Sequence, residues 1–418
     1  FIEHTLPGLV AEDVPVIGAE VTVEDTALVF LCKTRVGYKN LNHLLTTAHL
    51  ADRDCPTVSF DKVAEYSGEL FCLTNGREGR LWELIARRRS READGWLRQL
   101  HSVFGERLYV ELCHGLRQGD SFVVQRLYRL AKQHGLPPVA SNDVRHCLPD
   151  DYRLYDLFTC VRHNVQITEP HADRPHNGEQ YLKSDSQLHQ LIPFPEAFAN
   201  AAKIAAACDV DLLPEEITPP AAHLPDGISG ERYLTSLCRE ALPNKYLARK
   251  ERAAAQLEKE LDVITGLDLQ EFFLVVREVV AEARRRGIRC AGRGSAANSI
   301  VAYLLDITAV DPIEHHLLFE RFLHGGRKGT PDIDIDFDSD RRDEVIAWME
   351  ERFGLSQTAM TATLVTYRAR SALRDVAKTL GWPLTLVNEL TKLVPGRGIG
   401  IIPEYTGQIT ALLGASPL

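Results

Sequence analysis

Residues 331–337 read Pro-Asp-Ile-Asp-Ile-Asp-Phe, three acids alternating with apolar residues. A period of two marks a strand, and it sends Asp332, Asp334 and Asp336 to one face and Ile333, Ile335 and Phe337 to the other. Carboxylates that close repel one another unless a cation lies among them. The economical reading is a strand that carries a divalent-metal site, and Mg²⁺ suits a few carboxylates plus substrate phosphates. Two other patterns compete. A calcium-binding loop wants a turn-forming glycine at its sixth position, where Phe337 stands. An ordinary edge strand carries one or two charges easily and three on one face at a cost.

The sequence before this strand offers phosphate donors. A short strand, Ile288 to Ala291, enters Gly292-Arg293-Gly294-Ser295-Ala296-Ala297-Asn298-Ser299, and an apolar helix from Ile300 to Leu305 follows. Glycines let the backbone approach a ligand and adopt positive φ. Amides at the helix start, with the hydroxyl of Ser295, suit a phosphate. Many such turns need glycine only for packing, so the weight comes from the aspartate strand downstream. Upstream lie a Lys, Arg, Glu and Leu-rich helix from Glu231 to about Leu261, a helix from about Leu269 to Arg286, and the basic run Arg284, Arg285, Arg286, Arg289 and Arg293.

After the strand, Asp340 is a plausible N-cap for a helix whose face is marked by Val345, Met349 and Phe353 and which ends at Gly354. A strand over Met360 to Val365 and a helix over Tyr367 to Leu380 come next. On that helix Arg370, Arg374 and Lys378 lie four apart and share a face. The stripe suits a phosphate backbone, and equally a solvated surface.

The first 165 residues alternate between β-rich runs (14–23, 27–32, 70–73, 108–112 and 138–140) and helical stretches such as Leu41 to Leu50 and Phe122 to His134. Such alternation predicts parallel strands with covering helices, open or closed as a barrel. Glu20, His49, Glu111, Asn142, Asp143 and His146 stand near strand ends as candidate metal ligands. No His-x-His pair occurs in this region, and with fifteen histidines in the chain a chance constellation competes. From 166 to 230, eight prolines punctuate polar sequence around one helix, Pro195 to Cys208, which reads as a connector.

At 418 residues, 44% hydrophobic and 25% charged, the chain has the make-up of a soluble protein of two or three domains. It lacks a spanning apolar run, and Phe1-Ile2-Glu3-His4 does not resemble a signal peptide, so a cytoplasmic location is expected. Nine scattered cysteines without a Cys-x-x-Cys pair argue against a disulfide framework or zinc ribbon. A net charge of −10 does not advertise a nucleic-acid binder, but local clusters matter more than the total.

Gly292-Arg293-Gly294-Ser295, Asp311-Pro312, Leu318-Phe319-Glu320-Arg321-Phe322-Leu323, the 331–337 run and Arg341-Arg342-Asp343-Glu344-Val345-Ile346 together resemble the palm of bacterial C-family DNA polymerases, the DNA polymerase III alpha family. Ala296-Ala297-Asn298-Ser299, Thr361-Ala362-Thr363 and Tyr367-Arg368-Ala369-Arg370-Ser371-Ala372 are more similar to its error-prone, damage-tolerant branch. Gly18-Ala19-Glu20, Gly37-Tyr38-Lys39-Asn40-Leu41 and Ser141-Asn142-Asp143-Val144 resemble the family's polymerase-and-histidinol-phosphatase (PHP) domain. The resemblance covers nearly the whole chain.

It implies an α/β architecture: an incomplete PHP-type (β/α) barrel over residues 1–165, a connector at 166–230 associated with it, a nucleotidyltransferase-like (pol-beta-like) α+β palm at 231–366, and the start of a helical thumb at 367–418. By the same resemblance Arg293, Gly294 and Ser295 would hold an incoming dNTP. Asp334 and Asp336 would be catalytic and bind two Mg²⁺ ions, with Asp332 supporting, and Arg370, Arg374 and Lys378 would meet primer–template DNA. The implied chemistry is in-line attack of a primer 3′-hydroxyl on the α-phosphorus, assisted by two metals. A sliding clamp and other replication or mutagenesis proteins are expected partners through regions outside this chain, and a membrane is not.

Departures from the pattern are informative. The chain starts after the His-x-His strand of the family, and Arg145 stands where a metal-binding histidine often follows Asn-Asp-Val. The family's third palm carboxylate lies beyond the thumb, so these residues alone are expected to show little nucleotidyl transfer. The alternative is a metal-dependent phosphoesterase using Glu20, His49, Glu111 and Asp143; a non-catalytic remnant is a third possibility.

Overall fold

The computed structural model describes residues 15–210, 220–247, 249–324, 331–361, 363 and 365–394. Contacts divide the chain into two compact units, one made of Phe1–Leu212 and Val365–Leu418, the other of Leu213–Leu364.

The first unit is built on five strands in sequence order: β1 (Gly18–Val23), β2 (Thr26–Cys32), β3 (Leu70–Leu73), β4 (Leu108–Cys113) and β5 (Pro138–Ser141). Only β3, β4 and β5 pair in parallel; β1 with β2 and β2 with β3 are antiparallel. The departure from parallel alternation has a local cause in the first pair. Glu24 and Asp25 alone separate β1 from β2, which is too short for a crossover and forces a hairpin, with Glu24 in the left-handed region at φ +55°. Helix Ser90–Phe104 covers the sheet through Ala93, Trp96, Leu97, Leu100 and Phe104, a helical apolar stripe, and Phe104 stacks on Phe30 of β2 at 5.7 Å between centroids.

Helix Pro195–Ala207 closes against β5, where Asn200 Nδ2 donates to the Pro138 carbonyl at 2.8 Å. Helix Ala369–Thr379 packs on helix Tyr152–His163, and Ile167 N donates to the Thr379 carbonyl at 2.9 Å. The segment that the sequence suggested as the start of a thumb is thus grouped with the N-terminal unit as far as residue 394. Residues 395–418 lie outside the described residues.

The second unit is mostly helical. Helices Gly230–Lys245, Lys250–Gly266 and Gln270–Arg285 bury Leu234, Cys238, Leu257, Ile264 and Phe273 against Ile300, Phe319 and Phe322. The single helix expected from 231 to 261 is in fact two. The first runs through Pro243 and stops at Lys245, and the second starts at Lys250. β6 (Cys290–Arg293) and β7 (Asp334–Phe337) form an antiparallel pair.

Two local expectations fail. The helix after β7 begins at Arg342 with Arg341, not Asp340, at the cap. Among the described residues of 360–365 there is no strand: Met360 and Val365 are 75% and 92% exposed, alternating sequence with no sheet edge to pair with.

Gly292 is required by space rather than by its dihedrals. Its N–H donates to the Ile307 carbonyl at 2.9 Å, and a β-carbon would sit 2.5 Å from that oxygen. Gly292→Ala is expected to destabilise the chain by about 1–3 kcal/mol in urea unfolding. Gly266→Ala, where a β-carbon meets nothing within 4 Å, is the control and should be neutral or slightly stabilising.

Candidate functional site

β7 keeps the alternation read from its sequence. Asp332, Asp334 and Asp336 are exposed, Ile333 and Ile335 pack on the helical core, and Phe337 packs on the cluster of Val279, Ala283, Ile288 and Val345. The antiparallel register sets Arg293 opposite Asp334 and Gly292 opposite Ile335, which lays the glycine turn along the acidic face. Arg293 Nε lies 3.1 Å from Asp336 Oδ1. Gly294 has φ +70°, and the direction its side chain would take points to Asp334 Oδ2 at 3.5 Å. A left-handed residue pressed against a carboxylate is a place for glycine.

Ser295 belongs to a 3-10 turn, Gly294–Asn298, whose half-buried Asn298 donates Nδ2 to the Ser295 carbonyl at 2.9 Å. The helix after it spans only Ile300–Leu304. Its first turn is capped by Ser299, whose hydroxyl accepts from Ala302 N at 3.2 Å. The helix start therefore does not offer the open amides expected from the sequence, and any phosphate contact here falls to the turn itself.

Glu260, which the sequence reading missed, holds this segment from behind. It is fully buried. Oε2 accepts from the Ser299 hydroxyl at 2.8 Å and from Val301 N at 3.3 Å, and Oε1 accepts from Gln256 Nε2 at 2.9 Å. Burial pushes its carboxyl up to about 7 despite these donors. A signal was present: Glu260 falls on the apolar stripe of Ala253, Leu257, Leu261 and Ile264, but the Lys and Glu around it resemble a solvated face.

In the first unit, Glu20, Glu111 and Asp143 do converge, joined by Glu78, around a cavity of about 150 Å³ that Asn75, Arg77 and Cys113 also line. His49 is exposed in the last turn of helix Arg35–Ala51 and does not line it. Asn142 is taken up by Tyr181 O at 2.6 Å and Lys183 Nζ at 3.3 Å. His146 Nδ1 donates to the Leu148 carbonyl at 2.8 Å. Asp143 is already satisfied, with Arg145 Nε 2.8 Å from Oδ1 and Gln180 Nε2 donating to Oδ2 at 2.6 Å. Burial, with the Asp143 charge nearby, raises the pKa of Glu111. Asp143 thus has a partner on each oxygen, whereas Glu111 Oε2 is buried without a hydrogen-bond partner among the described residues.

Of the basic stripe, Arg370 Nε donates to the Val394 carbonyl and Lys378 Nζ to Asn164 Oδ1. Arg374 is exposed and has no such bond among the described residues.

Two stretches match known families: residues 11–114 the PHP domain, and residues 232–411 the bacterial DNA polymerase III alpha NTPase domain. The chain belongs to the bacterial DNA polymerase III alpha family. It is 38% identical over 400 residues to an error-prone DNA polymerase of Symbiobacterium thermophilum, covering 91% of this chain and 37% of that protein. It is 34% identical over 374 residues to the DNA polymerase III subunit alpha of Treponema pallidum (88% and 32%) and 33% identical over 392 residues to that of Bacillus subtilis (92% and 35%). The chain spans about a third of the length of these relatives. No helix among the described residues is long and apolar enough to cross a membrane.

Because the folded pKa of Glu260 lies above its ordinary value, its contribution favours folding below about pH 4.5 and is lost as pH rises through about 7. Glu260→Gln should flatten the stability profile across that window. Comparing urea unfolding of the two proteins at pH 5 and pH 8, the difference is expected to change by on the order of 3 kcal/mol in favour of the variant at the higher pH.

Proposed function

We propose that the face formed by Asp334, Asp336, Arg293, Gly294 and Ser295 is the metal- and triphosphate-holding part of a DNA-directed DNA polymerase of the error-prone type. The observation that carries the reading is the β6–β7 register, which sets a glycine–arginine turn against an open carboxylate pair. The polymerase relatives support it.

Asp334 and Asp336 hold two Mg²⁺ ions, and Asp332, exposed on the same face, supports them. Bound there, the ions neutralise the triphosphate and lower the cost of ionising a primer 3′-hydroxyl. Arg293 lies beside Asp336 and can turn its guanidinium to phosphate oxygens, while Gly294 and Ser295 bring backbone and hydroxyl donors close. Residues 1–165 with 166–230 act as the PHP portion, 231–366 as the palm, and 367–418 as the beginning of the thumb. A cytoplasmic setting and contact with a sliding clamp and other replication or mutagenesis proteins belong to the same reading.

The metal assignment is read by Mn²⁺ paramagnetic resonance on the whole chain. Mn²⁺ binding should tighten several-fold when dATP is added, and Asp334→Asn with Asp336→Asn should abolish both binding and enhancement. Unchanged Mn²⁺ binding and enhancement in the double variant would sink it.

Helix Ala369–Thr379 is the proposed contact to the DNA backbone, through Arg370, Arg374 and Lys378. Affinity for duplex DNA should then fall steeply with salt, and Arg374→Ala should lower the slope of log K against log salt by about 0.9. A slope unaffected by this substitution removes the helix from the interface.

A further inference from the structure

A second potential metal site uses none of the acids of either cluster, although the cavity beside it is also lined by Glu20, Glu78 and Asp143. His163 ends helix Tyr152–His163, and the chain reverses through Asn164 in the left-handed conformation before running through 166–175. That loop is fixed by one side chain. Arg174 grips Asp156 with two bonds, Nε to Oδ1 at 2.8 Å and Nη2 to Oδ2 at 2.7 Å, and its Nη1 donates to the carbonyls of Ile167 and Glu169 at 2.8 and 2.6 Å. Asp156 and His163 are seven residues apart, so they share a helix face. Anchoring Arg174 to Asp156 therefore returns the loop to the face that carries His163.

The result brings His163, His171 and Asp173 together with one potential ligand atom from each within 4.8 Å of the others. The His163 and His171 rings stack at 4.0 Å between centroids. A turn closed by Arg174 N to the His171 carbonyl, at 3.2 Å, folds Asp173 back beside His171. Asp173 N donates to His171 Nδ1 at 3.2 Å, which leaves Nε2 as that ring's free nitrogen.

The decisive detail is how His163 meets Asp173. Nε2 and Oδ2 are 2.8 Å apart, yet they are not aligned as a hydrogen bond, and Nε2 is shielded from solvent with no other partner among the described residues. A lone pair and a carboxylate oxygen that approach without pointing at each other are arranged about a third point. Two imidazole nitrogens and one carboxylate oxygen are a donor set for Zn²⁺, which accepts such ligands at about 2.0–2.2 Å and completes its shell with water. His163 and Asp173 also line a cavity of about 780 Å³, so the remaining coordination position has room.

We infer that His163, His171 and Asp173 form a Zn²⁺ site with an open position. It is independent of the polymerase reading, since none of its residues belongs to the aspartate strand or the glycine turn. The test uses the whole chain, loaded with Zn²⁺, freed of loose metal and measured by plasma mass spectrometry, with Co²⁺ substitution read by visible absorption. Wild type is expected to retain one equivalent and to show the intense visible bands of low-coordinate Co²⁺. His171→Gln and Asp173→Asn should each cut retention at least tenfold and abolish the bands, while Glu20→Gln keeps both. Asp173 is 62% exposed, so its variant should fold as wild type, checked by far-UV circular dichroism without metal. Retention below a tenth of an equivalent in wild type, retention by both His171→Gln and Asp173→Asn, or loss in Glu20→Gln would overturn the assignment and leave the three residues as a histidine stack with an ion pair.

Discussion

The second unit depends on a ribbon of two four-residue strands whose faces have opposite demands. One face must hold Ile335 and Phe337 against helices, the other must carry Asp334 and Asp336 in water. Carboxylates two residues apart on a strand are separated by roughly 6.5 Å, and in water their repulsion is about 0.6 kcal/mol per pair. Half-burying an isoleucine or phenylalanine contributes on the order of 1 kcal/mol each. Burial wins, so the strand forms without a metal. The residual repulsion is offset in part by Arg293, whose Nε lies 3.1 Å from Asp336 Oδ1.

The glycine turn is held by the opposite arrangement. Glu260 places its carboxylate where no solvent reaches, and the Ser299 hydroxyl, Val301 amide and Gln256 amide converge on it. Desolvation still outweighs those donors near neutral pH, which is why its pKa moves up. Structure is specified there at a cost in stability, since buried polar groups fix register more reliably than they strengthen a fold. The turn that follows β6 thus has its position set by Gly292 against Ile307 on one side and by Glu260 on the other.

What could be read from the sequence was what is local. The alternation of β7 is a period-two signal within seven residues, and it survived intact. The register that makes the site is not local, because Arg293 and Asp334 come from distant stretches and only pairing brings them together. The same limit applies to the described residues of 360–365, where the sequence alternates but no strand forms. Glu20 within β1, Glu111 within β4 and Asp143 just past β5 meet at one cavity because their strands share a sheet, whereas His49, placed by its neighbours in sequence, sits on the exposed side of a helix end. His163, His171 and Asp173 had no ligand spacing to betray them; a helix end and a turn, clamped by Arg174, do the assembling.

The two acidic clusters differ in how their carboxylates are paired. In the first unit several carboxylates are answered from within: Arg145 and Gln180 occupy Asp143, Arg174 occupies Asp156, and Arg77 with the amides of Gly115 and Arg117 occupies Asp120, whereas Glu111 Oε2 is buried without a hydrogen-bond partner among the described residues. An engaged carboxylate oxygen keeps a second lone pair, but a guanidinium beside it competes with a cation for the same charge. On β7 only Arg293 approaches, from the edge, and the three aspartates remain open to solvent. Density of acids in the sequence does not report this difference; availability of their oxygens, a property of pairing and packing, does.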